Sequence, residues 1–190
     1  MVEPLRASGV VDDTLRAALP VPTAALKVRI VEGLGVLSLR HFPGGTAAVE
    51  AALDEHAGLP LPKPGECLGA DPWRVWTGPT ECLLLTSNSP VADGVLQSLA
   101  PGRESLACAV DRSSGCVVFD LAGPGVADLL PRLLDASAIP QRAGQGHRAR
   151  CLDIGAVLLR VAPDRVLLVI DRAHGLYVAQ GIGHALQATA

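Results

Sequence analysis

One pattern occurs twice in this chain, and it limits the available folds more than any single motif does. The stretch "GVLSLRHFPGGTAAVEAAL" from Gly35 lies against "GCVVFDLAGPGVADLLPRL" from Gly115 without a gap. Leu37 then matches Val117, Leu39 matches Phe119, Gly45 matches Gly125, Val49 matches Leu129 and Leu53 matches Leu133. A second pair, "WTGPTECLLLT" at 76–86 and "RVAPDRVLLVI" at 160–170, matches Pro79 with Pro163, and Leu83, Leu84 and Leu85 with Leu167, Leu168 and Val169. Matches that keep both register and periodicity mark a structural unit used twice. The two offsets differ by a few residues, which a longer loop before Cys151 absorbs. The expected fold class is α+β, an internally duplicated strand, helix, strand, strand, helix unit. The expected organisation is an N-terminal extension over 1–27, a first repeat over 28–105 and a second over 106–190, both repeats sharing one compact domain.

Within the repeats, Val28–Arg40 reads as one long kinked strand or a tight pair, with Gly33 and Gly35 at the bend. A helix follows, with Thr46 placed to cap it, Val49, Ala52, Leu53 and His56 on one face, and Gly58 to end it. Residues 59–72 carry four prolines and read as a loop. Two short strands then flank Gly78-Pro79, where proline fixes φ and glycine tolerates the left-handed region. The next helix has Ser89 as cap, Pro90 in first position and Gly102 beyond its end. Residues 106–123 read as extended, with a Ser-Ser-Gly turn. Val126, Leu129, Leu130, Leu133 and Leu134 form a helical stripe that Pro131 should kink or end. "QRAGQGHRAR" reads as a polar loop, 151–171 as a strand pair, and "RAHGLYVAQGIGHALQ" as a terminal helix.

Composition narrows the functional classes. The 190 residues carry a formal charge of −3, with no run of Lys or Arg able to follow a phosphate backbone, which argues against nucleic acid as partner. Mean hydropathy is +0.35, yet no stretch approaches the roughly 20 continuous apolar residues of a membrane span. Alanine accounts for much of that value; a partner interface is the other expected destination of the apolar surface. The N-terminal segment has early acidic residues and no secretory pattern, so the expected location is cytoplasmic. Five cysteines, Cys67, Cys82, Cys108, Cys116 and Cys151, are odd in number and lack a C-x-x-C pair. Free buried thiols are expected rather than a disulfide framework or a zinc site.

Three stretches carry a family resemblance. "GLPLPKPGE" with "WRVWTGPTECLLL" is similar to a Gly-Leu-x-x-Pro loop, strand and Gly-Pro-Asp-Glu-Trp segment in the gamma subunit of heterotetrameric sarcosine oxidase. "AVDRSSGCVVFDLAGPGVADLL" is similar to that family's Val-Asp-x-Ser strand and Gly-Pro helix, through Asp111, Ser113, Gly123, Pro124, Ala127 and Leu130. "VIDRAHGLYVAQGIGHAL" resembles its terminal Arg-Ser-x-x-x-Tyr helix through Arg172, His174 and Tyr177. Cys82 stands where the family usually has Trp, and Thr80 where it has Asp. The resemblance runs over about residues 28–187 and implies the folate-binding, aminomethyltransferase-like fold. It also implies a non-catalytic small chain with alpha, beta and delta partner subunits. FAD, FMN, NAD and tetrahydrofolate would then be held by those partners and none by this chain. The implied complex oxidises an N-methyl amine at flavin and passes on the one-carbon unit.

The residues themselves offer little catalytic chemistry. "GQGHRAR" is a poor dinucleotide motif, because it lies ahead of a strand rather than between a strand and a helix, and Gly181 and Gly183 lie inside a helical pattern. His147 with Cys151 lacks a second ligand pair, and His174 and His184, ten residues apart, are about 15 Å apart along a helix, so no metal site is expected. Asp111 with Ser113 and Ser114 reads as a turn rather than a nucleophile. No catalytic or cofactor-binding residue is assigned on this reading. Trp73, Arg74, Trp76, Arg172 and Tyr177 are the candidates for a partner interface, since aromatics flanked by arginine make good anchors. A stand-alone folate-binding one-carbon-transfer protein is the alternative, with Asp111 and Asp153 as the carboxylates to test. A gamma-like subunit of a related N-methyl amino acid dehydrogenase, such as N-methylglutamate dehydrogenase, is another.

Overall fold

A computed structural model describes residues 11, 13–101 and 106–187. A short helix α1 (Asp13–Ala17) and strand β1 (Lys27–Ile30) precede β2 (Gly35–His41), α2 (Thr46–Ala57), β3 (Cys67–Gly69), β4 (Trp73–Gly78), β5 (Glu81–Thr86) and α3 (Ser89–Ser98). The second half has β6 (Ala107–Asp111), β7 (Cys116–Ala122), α4 (Val126–Leu133), β8 (Gln145–Cys151), β9 (Ile154–Ala162), β10 (Arg165–Asp171) and α5 (Gly175–Gln187). The strands form two antiparallel sheets, ordered β1-β7-β10-β9-β8 and β3-β4-β5-β2-β6.

Alternation along the strands sorts side chains into three apolar layers. Leu37, Leu39, Cys82 and Leu84 pack on Val49, Ala52 and Leu53 of α2 and on Ala92 and Val95 of α3. Val36, Val75, Leu83 and Leu85 meet Val118, Leu159, Leu167 and Val169 between the sheets. Val117, Phe119, Leu158 and Leu168 pack on Leu129, Leu130 and Leu133 of α4 and on Val178 and Ile182 of α5. The result is helices, sheet, sheet, helices. Each sheet buries both faces, which is why the strands read as near-continuous apolar runs.

The repeats are intertwined. β1 belongs to the first repeat but pairs with β7, while β6 belongs to the second and pairs with β2. Gly45 and Gly125, matched in sequence, are the residues before α2 and α4. Each sits against a carbonyl just ahead of an exchanged strand, that of Leu106 for Gly45 and that of Ala25 for Gly125. A Cβ on Gly45 would lie 2.1 Å from the Leu106 oxygen, so glycine is demanded there by space. The halves differ in register. Arg40 lies opposite Glu81, whereas its match Asp120 lies opposite Leu167. Arg165, the match of Glu81, lies two residues further along, opposite Ala122. A slide of two residues keeps every side chain on its own face.

At one corner the sheets are joined through the backbone. Cys67 N–H donates to the Gly144 carbonyl (2.8 Å) and Gly146 N–H to the Gly65 carbonyl (3.0 Å). Two carboxylates reinforce the packing. Glu81 accepts from Ser38 (2.8 Å) in its own sheet and from Arg148 (3.2 Å) of the opposing one. Asp120, almost wholly buried, accepts from Arg165 Nε (2.8 Å) and Arg29 (3.1 Å).

Several sequence expectations change here. Val28–Arg40 is two strands in different sheets. The proline-rich 59–72 segment contains β3, and "QRAGQGHRAR" is strand β8 from Gln145 onward. Thr46 does not cap α2; Gly45 precedes the helix and Thr46 is its first residue. Ser89 begins α3, with Asn88 before it, so Pro90 is second. Gly102 lies outside the described residues. Pro131 does not end α4, which runs on to Leu133 and closes with Leu134 N–H donating to the Leu130 carbonyl (3.0 Å). The hairpins at Pro79 and Pro163 are equivalent, but Gly78 is not in the left-handed region, whereas Gly58 is, at φ 63°. No helix among the described residues is long and apolar enough to cross a membrane.

Candidate functional site

The five residues singled out for an interface do not come together as one surface. Trp73 points between the sheets and packs against their shared core, while Trp76 lies on the other face of β4, half-buried. Arg74 overturns its expectation: it is fully buried and offers nothing to a surface. Its Nη1 donates to the Pro60 carbonyl, whereas Nε and Nη2 have no hydrogen-bond partner among the described residues. Burial pushes the guanidinium down to about 10. The alternation that sends Trp73 and Trp76 to opposite faces puts Arg74 on the helix-covered side, opposite Leu84.

The remaining two candidates lie on the terminal helical segment. Arg172, in the 3-10 turn before α5, is exposed and donates to the Ser114 carbonyl (3.4 Å). Tyr177 is 52% exposed, and its hydroxyl donates to the Leu152 carbonyl (3.3 Å). Tyr177 helps line a shallow depression of about 480 Å³ with Arg132, Leu152, Gln180, Gly181 and His184. The depression has a local cause. Leu152, at φ 49° in the tight turn between β8 and β9, is seated over Gly181, where a Cβ would come within 2.2 Å of Leu152 Cδ1. Arg132 of α4 reaches over to the Ala185 carbonyl (3.2 Å) and closes the other side. One arginine, an imidazole, an aromatic edge and an apolar floor make this a surface for contact. Its lining has no carboxylate and no nucleophile paired with a base.

The histidines and cysteines fall apart in space. His147 bonds the Ala138 carbonyl (2.9 Å), while Cys151 is buried in the core beside α4. No group of three or more His, Cys, Asp or Glu among the described residues is arranged to hold a metal ion. All five cysteines are free: Cys67, Cys82 and Cys151 are buried and Cys108 and Cys116 half-buried, where all five were expected inside. Burial pushes the thiols of Cys67 and Cys82 up to about 12 and that of Cys151 to about 11.

A pterin needs a buried carboxylate, and neither sequence candidate supplies it. Asp111 is exposed and accepts from the backbone and hydroxyl of Ser113, while the Ser113 oxygen accepts from Val36 N–H (3.0 Å). This is the turn role expected for those residues. Asp153 is exposed in the β8–β9 turn beside Arg150, at φ 66°. Asp120, the buried carboxylate among the described residues, was not singled out, and two arginines already hold it. None of these three carboxylates is therefore a buried, open acceptor for a pterin.

No protein-family model matches the sequence, and a search of curated proteins gives no match. Among solved structures, a chain of heterotetrameric sarcosine oxidase from Corynebacterium sp. U-96 aligns with a TM-score of 0.76 at 24% identity, over 92% of this chain and 90% of that one. The glycine cleavage system aminomethyltransferase T from Bartonella henselae aligns with a TM-score of 0.60 at 13% identity. That alignment covers 89% of this chain and 47% of the aminomethyltransferase, so the present chain spans about half of that protein. The duplicated, strand-exchanged architecture described above is thus the fold this chain shares with a chain of heterotetrameric sarcosine oxidase and with part of an aminomethyltransferase.

Proposed function

We propose that this chain is a non-catalytic, small gamma-type subunit of a flavin-dependent oxidoreductase complex of the sarcosine oxidase kind. Its role is to support assembly and stability of the large subunits in the cytoplasm, within sarcosine breakdown and one-carbon metabolism. The observation that carries the reading is the end-to-end likeness in fold to a chain of heterotetrameric sarcosine oxidase, nearly complete in both directions. The three sequence stretches that resemble the gamma subunit support it further. On this reading FAD, FMN, NAD and tetrahydrofolate reside in alpha and beta partner chains, and a delta chain completes the assembly. The depression beside Tyr177, with Arg132 and His184 at its rim, is the surface offered to the large subunit.

The test is affinity purification of the tagged chain from its native host, with mass spectrometry and an absorbance spectrum of what co-purifies. Two large chains and a flavin spectrum are expected. A colourless chain recovered alone overturns the reading, and saturable binding of tetrahydrofolate by that lone chain would favour the stand-alone alternative.

A further inference from the structure

The exchanged strands β1 and β6 are counterparts, each at the end of its sheet, yet their edges are built differently. On β1, Val28 and Ile30 face the helices, so Lys27 and Arg29 occupy the other face and place charge along the edge. Charged side chains on an edge strand discourage another strand from pairing with it. On β6, "ACAVD", the corresponding face carries Cys108 and Val110, and the strand has no charge before Asp111. Val110 is 48% exposed, and Phe42, beside the start of β6, is 64% exposed.

The backbone of β6 fixes what could pair there. Phe42 N–H donates to the Leu106 carbonyl and Arg112 N–H to the Val36 carbonyl. By alternation, Cys108 and Val110 also turn their backbone groups toward β2. Ala107, Ala109 and Asp111 therefore turn their N–H and C=O groups outward, and no described residue pairs with them.

We propose that β6 joins a second copy of this chain, antiparallel, about a two-fold axis at Ala109. In that register Ala109 exchanges N–H···O bonds with its own copy, and Ala107 does so with the second copy's Asp111. No like charges are opposed. Cys108 falls directly opposite the second copy's Val110 in a non-hydrogen-bonded pair, the closer of the two pair types. The contact is isologous and closed, and it runs the two five-stranded sheets into one. It uses a different part of the molecule from the Tyr177 depression and does not depend on the subunit reading. Two complexes could be joined through it, or two free chains.

The test is the mass of the purified full chain by light scattering across a concentration range, with Val110→Lys and Val110→Cys variants. Twice the 19.6 kDa chain mass is expected at the upper end. Val110→Lys, at an exposed position and checked by circular dichroism, should weaken association by at least about tenfold, since a symmetric interface receives the charge twice. Val110→Cys should give a covalent dimer on mild oxidation, because the introduced thiol lies opposite the second copy's Cys108 at a spacing a disulfide spans. A wild-type chain that stays monomeric, a dimer indifferent to Val110→Lys, or a Val110→Cys chain that does not cross-link would each overturn the proposal.

Discussion

Gly146 on β8 and Val75 on β4 touch across the two sheets so closely that a Cβ on Gly146 would lie 2.6 Å from Val75 Cγ2. The same Cβ would meet the Leu158 carbonyl oxygen at 2.7 Å and Cys67 Cβ at 3.1 Å. The contact is next to the corner where backbone hydrogen bonds join the sheets, so neither side can retreat independently. Gly146→Ala should destabilise the chain by about 2 kcal/mol, the usual scale of overpacking in a filled core. Gly155→Ala, with nothing within 4 Å of its Cβ, should stay within about 0.5 kcal/mol of wild type. Urea melts of the two variants give the comparison, and equal midpoints would show that the sheets yield there.

Arg74 is a buried cation with two unpartnered nitrogens and a depressed pKa. Its charged form is worse off in the folded chain than in water, so it opposes folding at neutral pH. Replacement by an apolar side chain of similar length removes that penalty. Arg74→Met should be neutral or stabilising, by up to about 4 kcal/mol. A clear loss of stability in thermal melts would mean that the guanidinium is paired in solution by a group that neutralises it.

The buried thiols predict a loss of stability in alkali. Cys67, Cys82 and Cys151 are raised toward 11 to 12 in the folded chain, whereas the unfolded chain releases these protons near pH 8.5. Between those values the unfolded state binds fewer protons than the folded one. Stability is therefore full below about pH 8.5 and falls as pH rises, each thiol adding a slope approaching 1.4 kcal/mol, roughly, per pH unit. Denaturant midpoints from pH 8 to 10.5 should show the fall, and Cys82→Ala, though less stable at pH 8, should show a shallower one. A thiol reagent at pH 8 should label half-buried Cys108 ahead of these three.

How much of this was legible in the sequence follows from which physical signals reach the sequence. The duplication was, because Leu37, Leu39, Val117 and Phe119 repeat an alternation that only buried strands require. Gly45 and Gly125 matched for the same reason: each answers a close backbone approach. β8 was missed because "QGHRARC" pairs with one neighbouring strand and holds four polar residues and no large apolar one, so hydrophobicity alone does not separate it from a loop. Gly146 fell in a stretch that reads as a polar loop, and only the opposing sheet explains it. The strand exchange left no local mark, since β1 and β6 lie just where an unexchanged strand would lie in the chain. Arg74 was misplaced because flanking tryptophans suggested exposure, while the alternation that separated them also directed the arginine inward.

The exchange of β1 and β6 bears on how the chain is made. Vectorial synthesis delivers β1 early, but Arg29 waits for Asp120, 91 residues later, before its strand has a neighbour. The sheet built around β2 has all its strands once β6 has emerged, yet its inner face stays bare until β7, β9 and β10 follow. Such delayed, long-range pairing is slow to form and exposes apolar strands while it waits. A nascent chain of this design therefore calls for protection on the ribosome until almost its last helix is out, and severing it between the repeats would leave each fragment holding an edge strand that belongs to the other.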